Sequence, residues 1–217
     1  VMPIHRLRQL LALAKRYNVP ILEDAVYHEL GYHGAAPPPL KALDEDRIVL
    51  HASGFSKILL PGTRTGYLIA GGPLRDRLVR VKQAADVCTP GLNQRAMHVY
   101  LASGALAGHL NRVRAALRQR CEAACEAAAR YLPRGSEWTA PSGGLYLWVR
   151  LPDKGPTAAE LYLTAIQHGV SYAVGTLFHT DGGGHRYLRL NFSAQPPAKI
   201  VEGIKRLGAA WHAWCEA

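Results

Sequence analysis

The chain has 217 residues, 48% of them hydrophobic and 19% charged, with a formal net charge of +10 and ten histidines uncounted. That length and balance describe a globular protein with a sizeable core and exclude a disordered one. The basic excess raises nucleic acid as a partner, yet no dense Lys/Arg block occurs. The nearest cluster, Arg112, Arg114, Arg118 and Arg120, follows an Ala-rich helical pattern and reads as a solvated face.

Residues 3–18 read as an amphipathic helix, with Leu7, Leu10, Leu11 and Ala14 on one stripe and Pro3 in its first turn. A short apolar strand over 19–22 ends in Glu23-Asp24, and residues 35–39 form a Pro-rich loop. A buried strand is expected over 47–51 and a third strand over 67–70. Helix followed by strands implies an α/β sheet covered on both faces. Helices are expected over 73–86 and 93–103, then a long one over 105–131 that stops before Pro133 and joins two lobes, 1–104 and 105–217. The second lobe reads as a strand (145–151), a helix (158–168), a strand (187–192) and a closing helix (196–216) with Ile200, Ile204, Leu207 and Trp211 in register. Gly182-Gly183-Gly184 reads as a turn, because no helix start follows it.

Cys121 and Cys125 lie one helical turn apart, where a disulfide has poor geometry. All four cysteines, Cys88 and Cys215 included, are read as reduced packing residues of a cytoplasmic protein. No apolar run reaches membrane-spanning length, so no membrane partner is expected. The histidines show no His-x-x-x-His pair or similar metal-ligand spacing. The chain opens on Val1 and is expected to be a fragment or trimmed piece.

The chemistry gathers in 53–66, Ser-Gly-Phe-Ser-Lys-Ile-Leu-Leu-Pro-Gly-Thr-Arg-Thr-Gly. A lysine at a buried strand end is costly unless it is paired or chemically used. The amine of Lys57 is placed to form a Schiff base with a carbonyl cofactor. Ser56 and Arg64 offer a hydroxyl and a forked cation to a phosphate dianion. Asp24 stands at a strand's C-terminal end, the edge where open α/β sheets bind ligands, and Tyr27 lies three residues on. Far downstream, Arg189 sits inside the apolar run Tyr-Leu-Arg-Leu-Asn-Phe, where a substrate carboxylate would partner it. Taken singly, each has a plainer reading: a solvent-facing turn lysine, a capping carboxylate, a loop aromatic, an arginine that snorkels to water.

Their order and spacing are another matter. Ser-x-x-Ser-Lys followed by Pro-Gly-x-Arg-x-Gly, with Asp-Ala-Val-Tyr upstream and Arg-Leu-x-Phe downstream, resembles the signature of the class I/II pyridoxal-phosphate (PLP) aminotransferases. Pro141 to Trp148 is similar to that family's Gly-Gly-hydrophobic-aromatic strand. Val174-Gly175-Thr176-Leu177-Phe178 is similar to its Pro-Gly-x-x-Phe turn. The resemblance implies an α/β fold, the C-terminal part of a fold type I PLP-dependent transferase. That part comprises a three-layer α/β/α large-lobe portion and a small α+β C-terminal lobe. It further implies PLP held by Lys57, with Asp24 on the ring nitrogen, Tyr27 on the ring oxygen, and Ser56 and Arg64 on the phosphate. Arg189 would hold the substrate's α-carboxylate. The activity implied is amino transfer between an amino acid and a 2-oxo acid, in a homodimer.

Two departures stand out. The family places Ser or Thr three residues before the lysine, where this chain has Gly54, with Ser53 beside it. The family also carries about as much chain again upstream, including a Gly-rich phosphate cradle and a ring-stacking aromatic. Strands without those neighbours are expected to leave apolar surface exposed, and the chain alone to bind PLP weakly and to oligomerise. A second resemblance is to the aminotransferase-like, effector-sensing domain of GntR/MocR-type transcription regulators, carried by the stretch from Val49 to Lys57, by Gly66-Tyr67-Leu68 and by Ala107-Gly108-His109-Leu110. In that reading DNA is bound only through a separate N-terminal head.

Overall fold

The computed structural model describes residues 2–32 and 37–216, apart from the side chain of Pro73. The chain divides into two compact units, residues 1–114 and 115–217, and the division falls inside one helix.

In the first unit, α1 (Ile4–Tyr17) ends where Asn18 takes a left-handed conformation (φ 51°, ψ 44°) and returns its N–H to Ala14 and Lys15. The chain then enters β1 (Ile21–Asp24), which runs parallel to β2 (Val49–Gly54), with Ile21 opposite Val49 and Asp24 opposite Ala52. β3 (Gly66–Ile69) returns antiparallel along the other side of β2, so the sheet order is β1-β2-β3. Helices α2 (Gly72–Asp86), α3 (Gly91–Ala102) and α4 (Ala105–Tyr131) follow. The loop expected over 35–39 lies partly outside the described residues.

The second strand starts later and runs further than its apolar pattern predicts. Arg47 stands at φ 59°, and the Asp44 carboxylate accepts from the backbone N–H groups of Ile48 and Val49 at 3.1 and 2.9 Å. The turn is therefore closed before the ladder begins. At the other end, β3 pairs with β2 as far as Gly54 opposite Gly66. Apolar side chains remain on the surface, as expected for strands short of neighbours. Leu22 is 67% exposed, and Tyr67, Leu68 and Ile69 about half so. Among the described residues the edge strands β1 and β3 therefore keep apolar side chains exposed.

Glu23 ties this unit together. Its carboxylate accepts from the N–H groups of Leu40 and Lys41 at 2.6 and 3.1 Å, where a 3-10 turn (Leu40–Leu43) begins, and meets His51 Nδ1 at 2.7 Å. Burial pushes the Glu23 carboxyl up. The bonds from His51 and the two backbone donors outweigh it and hold the group below its ordinary value.

The second unit contains the rest of α4, β4 (Glu137–Trp138), β5 (Tyr146–Arg150), α5 (Ala158–Gln167), β6 (Ala173–Val174), β7 (Tyr187–Asn191) and α6 (Pro197–Glu216). Its strands form an antiparallel sheet in the order β4-β5-β7-β6. Strict alternation gives the sheet two characters. Leu147, Val149, Leu188 and Leu190 are buried in a core that includes Leu161, Ile204, Leu207 and Trp211. Tyr146, Trp148, Tyr187 and Arg189 point to the other face. α5 begins with a capping box between Thr157 and Glu160. β4 and β6 escape the sequence pattern because each is only two residues long.

Two expectations are corrected. Cys88 and Cys215 are exposed and so are not packing residues, whereas Cys121 is buried. Burial, reinforced by Cys125, pushes the Cys121 thiol up to about 12. The arginines of α4 are not one solvated face: Arg114 is bonded to Glu29, and Arg120 donates to the Ser193 carbonyl.

Glu23→Gln should lower stability at neutral pH. A carboxyl held low in the folded state stabilises above its unfolded value, near 4.5, and loses that contribution as pH falls through the folded value. Denaturant midpoints of parent and variant should therefore converge at acid pH. In the second unit a Cβ on the buried Gly208 of α6 would run into the Tyr131 carbonyl. Gly208→Ala should cost about 1–3 kcal/mol, read as a lower unfolding midpoint.

Candidate active site

Parallel pairing places the C-terminal ends of β1 and β2 at the same edge of the sheet. Asp24 closes β1, and its Oδ1 accepts from the Val26 N–H at 3.3 Å, turning the chain toward Tyr27 and a 3-10 turn (His28–Leu30). The Ser53 hydroxyl donates to the Ala25 carbonyl at 3.2 Å and holds the two exits together. Beyond Gly54 the chain makes a tight turn. The Phe55 carbonyl accepts from Leu59 and Leu60 at 2.8 and 3.2 Å, and the Phe55 N–H donates to Thr65 at 3.1 Å.

Lys57 rides on that turn. It is exposed, not set at a buried strand end as the sequence led us to expect, because the strand stops at Gly54 and the turn carries the lysine outward. A further 3-10 turn (Pro61–Thr63) leads to Arg64, which takes the left-handed conformation (φ 49°, ψ 33°) before β3 begins. Such a backbone is uncommon for a residue with a side chain.

These turns enclose a cavity of about 200 Å³ lined by Val26, Gly54, Ser56, Lys57, Arg64, Thr65 and Gly66. It brings together Ser56, Lys57 and Arg64, three of the residues singled out in the sequence, and no carboxylate lines it. Asp24 and Tyr27 are exposed on the adjoining turn and do not line it. Two of its walls are glycines for a steric reason. A Cβ at Gly54 would stand 3.2 Å from the Thr65 carbonyl oxygen, and one at Gly66 would stand 2.9 Å from that of Ser53. Gly54 therefore keeps the strands closed where a hydroxyl residue was the expectation. Neighbouring Ser53 does not replace it at the cavity, since its hydroxyl is turned to Ala25.

Arg189 lies in the second unit. It is half-buried on the face of β7 opposite the core, not enclosed in an apolar strand. Its guanidinium carbon sits 4.2 Å from the ring centre of Tyr146 and 4.3 Å from that of Phe178. Trp148 stacks against Tyr187 and packs edge-on against Phe178. The buried Arg189 Nε has no hydrogen-bond partner, a feature that calls for explanation in a native fold. Tyr146 and Phe178 both fall in segments the sequence picked out, without a role; their contact with Arg189 is what the sequence did not reveal. A larger cavity of the same unit, about 520 Å³, is lined by Phe192, Lys199 and the paired Glu202 and Arg206, and by none of the residues singled out above.

The profile of the aminotransferase class I and II family matches residues 1–207. An uncharacterized aminotransferase of Saccharolobus solfataricus is 36% identical over 201 residues, which is 93% of this chain and 50% of that protein. An uncharacterized HTH-type transcriptional regulator of Escherichia coli is 37% identical over 200 residues, 92% of this chain and 42% of that protein. The alpha-aminoadipate aminotransferase of Thermus thermophilus, solved in complex with N-(5'-phosphopyridoxyl)-L-leucine, superposes with a TM-score of 0.92 at 33% identity. That match covers 99% of this chain and 55% of that one. The chain thus spans about half the length of the relatives it matches. Over that span, in sequence and in α/β fold, it belongs to the class I and II aminotransferases.

Proposed function

We propose that the whole protein is a PLP-dependent aminotransferase that moves an amino group between an amino acid and a 2-oxo acid. The observation that carries this reading is the cavity at the C-terminal edge of the parallel strands, where Ser56, Lys57 and Arg64 converge. The residues present fit the cofactor's phosphate: two hydroxyls (Ser56 and Thr65), two cations, glycine walls and no carboxylate. PLP bound there would supply an electron-withdrawing ring that stabilises negative charge at the substrate Cα.

This chain's residues do the rest. Ser56 and Arg64 would hold the phosphate through charge-assisted hydrogen bonds. Asp24, at the end of β1, would keep a proton on the ring nitrogen, and the Tyr27 phenol would donate to the ring oxygen. The Lys57 amine would anchor the cofactor and, when freed, serve as general base for the substrate Cα proton. Arg189, its guanidinium held against the rings of Tyr146 and Phe178, would offer its terminal N–H groups to the substrate carboxylate. The partners are thus an amino acid, a 2-oxo acid and a second copy of the protein.

A second reading rests on the regulator relative of comparable identity. In it the same site senses an amino acid effector and DNA is bound by a separate head. Turnover separates the two. Efficient transamination of common amino acids by the complete protein supports the enzyme. PLP binding with negligible turnover and tight operator binding supports the regulator.

The complete protein loaded with PLP and gel-filtered should keep a long-wavelength absorbance band, and Lys57→Ala should lose it. A band retained in the variant would refute the role of Lys57. Arg189→Lys keeps the charge but loses the fork. It should raise KM for amino acids about 10- to 100-fold, the scale of a charged hydrogen bond, with the absorbance band unchanged.

A further inference from the structure

α4 begins well after the candidate cavity in sequence, yet its first turns reach back to both loops that form that site's edge. His109 Nε2 lies 2.9 Å from the carbonyl oxygen of Ile58, the residue that follows Lys57. Ile58 is itself buried, so its carbonyl has few other partners to choose from. Arg114, further along α4, donates from Nε to the Glu29 carbonyl at 2.7 Å and from its terminal nitrogen to the Glu29 carboxylate at 2.8 Å. Glu29 belongs to the 3-10 turn that follows Tyr27. All these residues lie in the first unit.

We infer that His109 and Arg114 are positioning residues for the cofactor-binding turns, His109 for Lys57 and Arg114 for Tyr27. The inference rests on the PLP reading above and deepens it. Lys57 itself is exposed, and the bonds to the Phe55 carbonyl close its turn only locally. The His109 bond adds a tie to α4 from a residue 51 positions away. An imidazole with a proton on Nε2 donates to a carbonyl whether the ring is neutral or charged, so the tie tolerates a change in ring charge. Arg114 acts differently, with a planar fork that meets a backbone oxygen and a carboxylate at once. Together they brace the Lys57 turn and the Tyr27 turn on a single helix, which limits how far each can drift from the other. Preorganisation of this kind strengthens binding by lowering the ordering cost left to the ligand.

The test uses the complete protein and two readouts: affinity for PLP, and the intensity of the long-wavelength band per bound cofactor, which reports attachment to Lys57. His109→Ala should weaken binding about tenfold, the scale of one ordinary hydrogen bond, and lower the band per bound cofactor. His109→Gln, whose amide reaches the same oxygen, should restore both. Should the alanine variant not fold, His109→Asn, an amide too short for the span, takes its place in the same comparison. Arg114→Lys should weaken binding but leave the band per bound cofactor unchanged, because its tie is to the other turn. A His109→Ala protein with wild-type affinity and band, or a loss that glutamine does not restore, overturns the inference while the PLP reading stands. A wild-type protein with no band at all overturns both.

Discussion

The parallel register of β1 on β2 is the constraint on which the candidate site depends. Asp24 lies opposite Ala52, so both strands run out at one edge and both turns leave from it. An antiparallel pairing would send the Asp24 turn and the Lys57 turn to opposite ends of the sheet. β3 completes the arrangement by starting at that edge, with Gly66 opposite Gly54, so Arg64 arrives just before it. The Asp24 turn and the stretch from Ser53 to Gly66 thereby leave from one edge without any long loop having to reach across.

Close approach of backbone to backbone follows from that arrangement. Where β2 and β3 end, each side of the ladder is glycine, and a methyl group on either would press on a neighbouring carbonyl oxygen. The absence of a hydroxyl residue at position 54 is thus a packing choice in this chain. The hydroxyls on the cavity wall are then those of Ser56 and of the largely buried Thr65, which donates to the Thr63 carbonyl. The second unit answers a different problem. Its sheet places a cation on the face opposite its core, and the aromatic rings of Tyr146 and Phe178 cover the guanidinium on that face.

Much of this was legible in the sequence because the signals were local. The helices announced themselves through periodicity. The order Asp24, Tyr27, Ser56, Lys57, Arg64, Arg189 is a matter of spacing alone, and Leu147, Val149, Leu188 and Leu190 alternate as strand residues with one buried face must. What stayed hidden depends on partners distant in the chain. Nothing near Glu23 reveals that Leu40, Lys41 and His51 converge on it. Charge spacing on α4 made Arg114 and Arg120 look like solvated residues, because a helical pattern cannot show which arginine finds a carbonyl across the fold. The exposure of Lys57 was missed for a related reason: an apolar run marks a strand but not the turn chemistry that ends it.

Arg64 carries one more implication. A left-handed backbone costs a residue with a Cβ about 1 kcal/mol or more, and here the fold bears that cost in its native state whether or not an anion is present. Glycine at this position would relax the turn and remove the positive charge from the cavity wall in a single change. Backbone ease and a positive charge on the cavity wall therefore pull residue 64 in opposite directions, and this chain carries the charge.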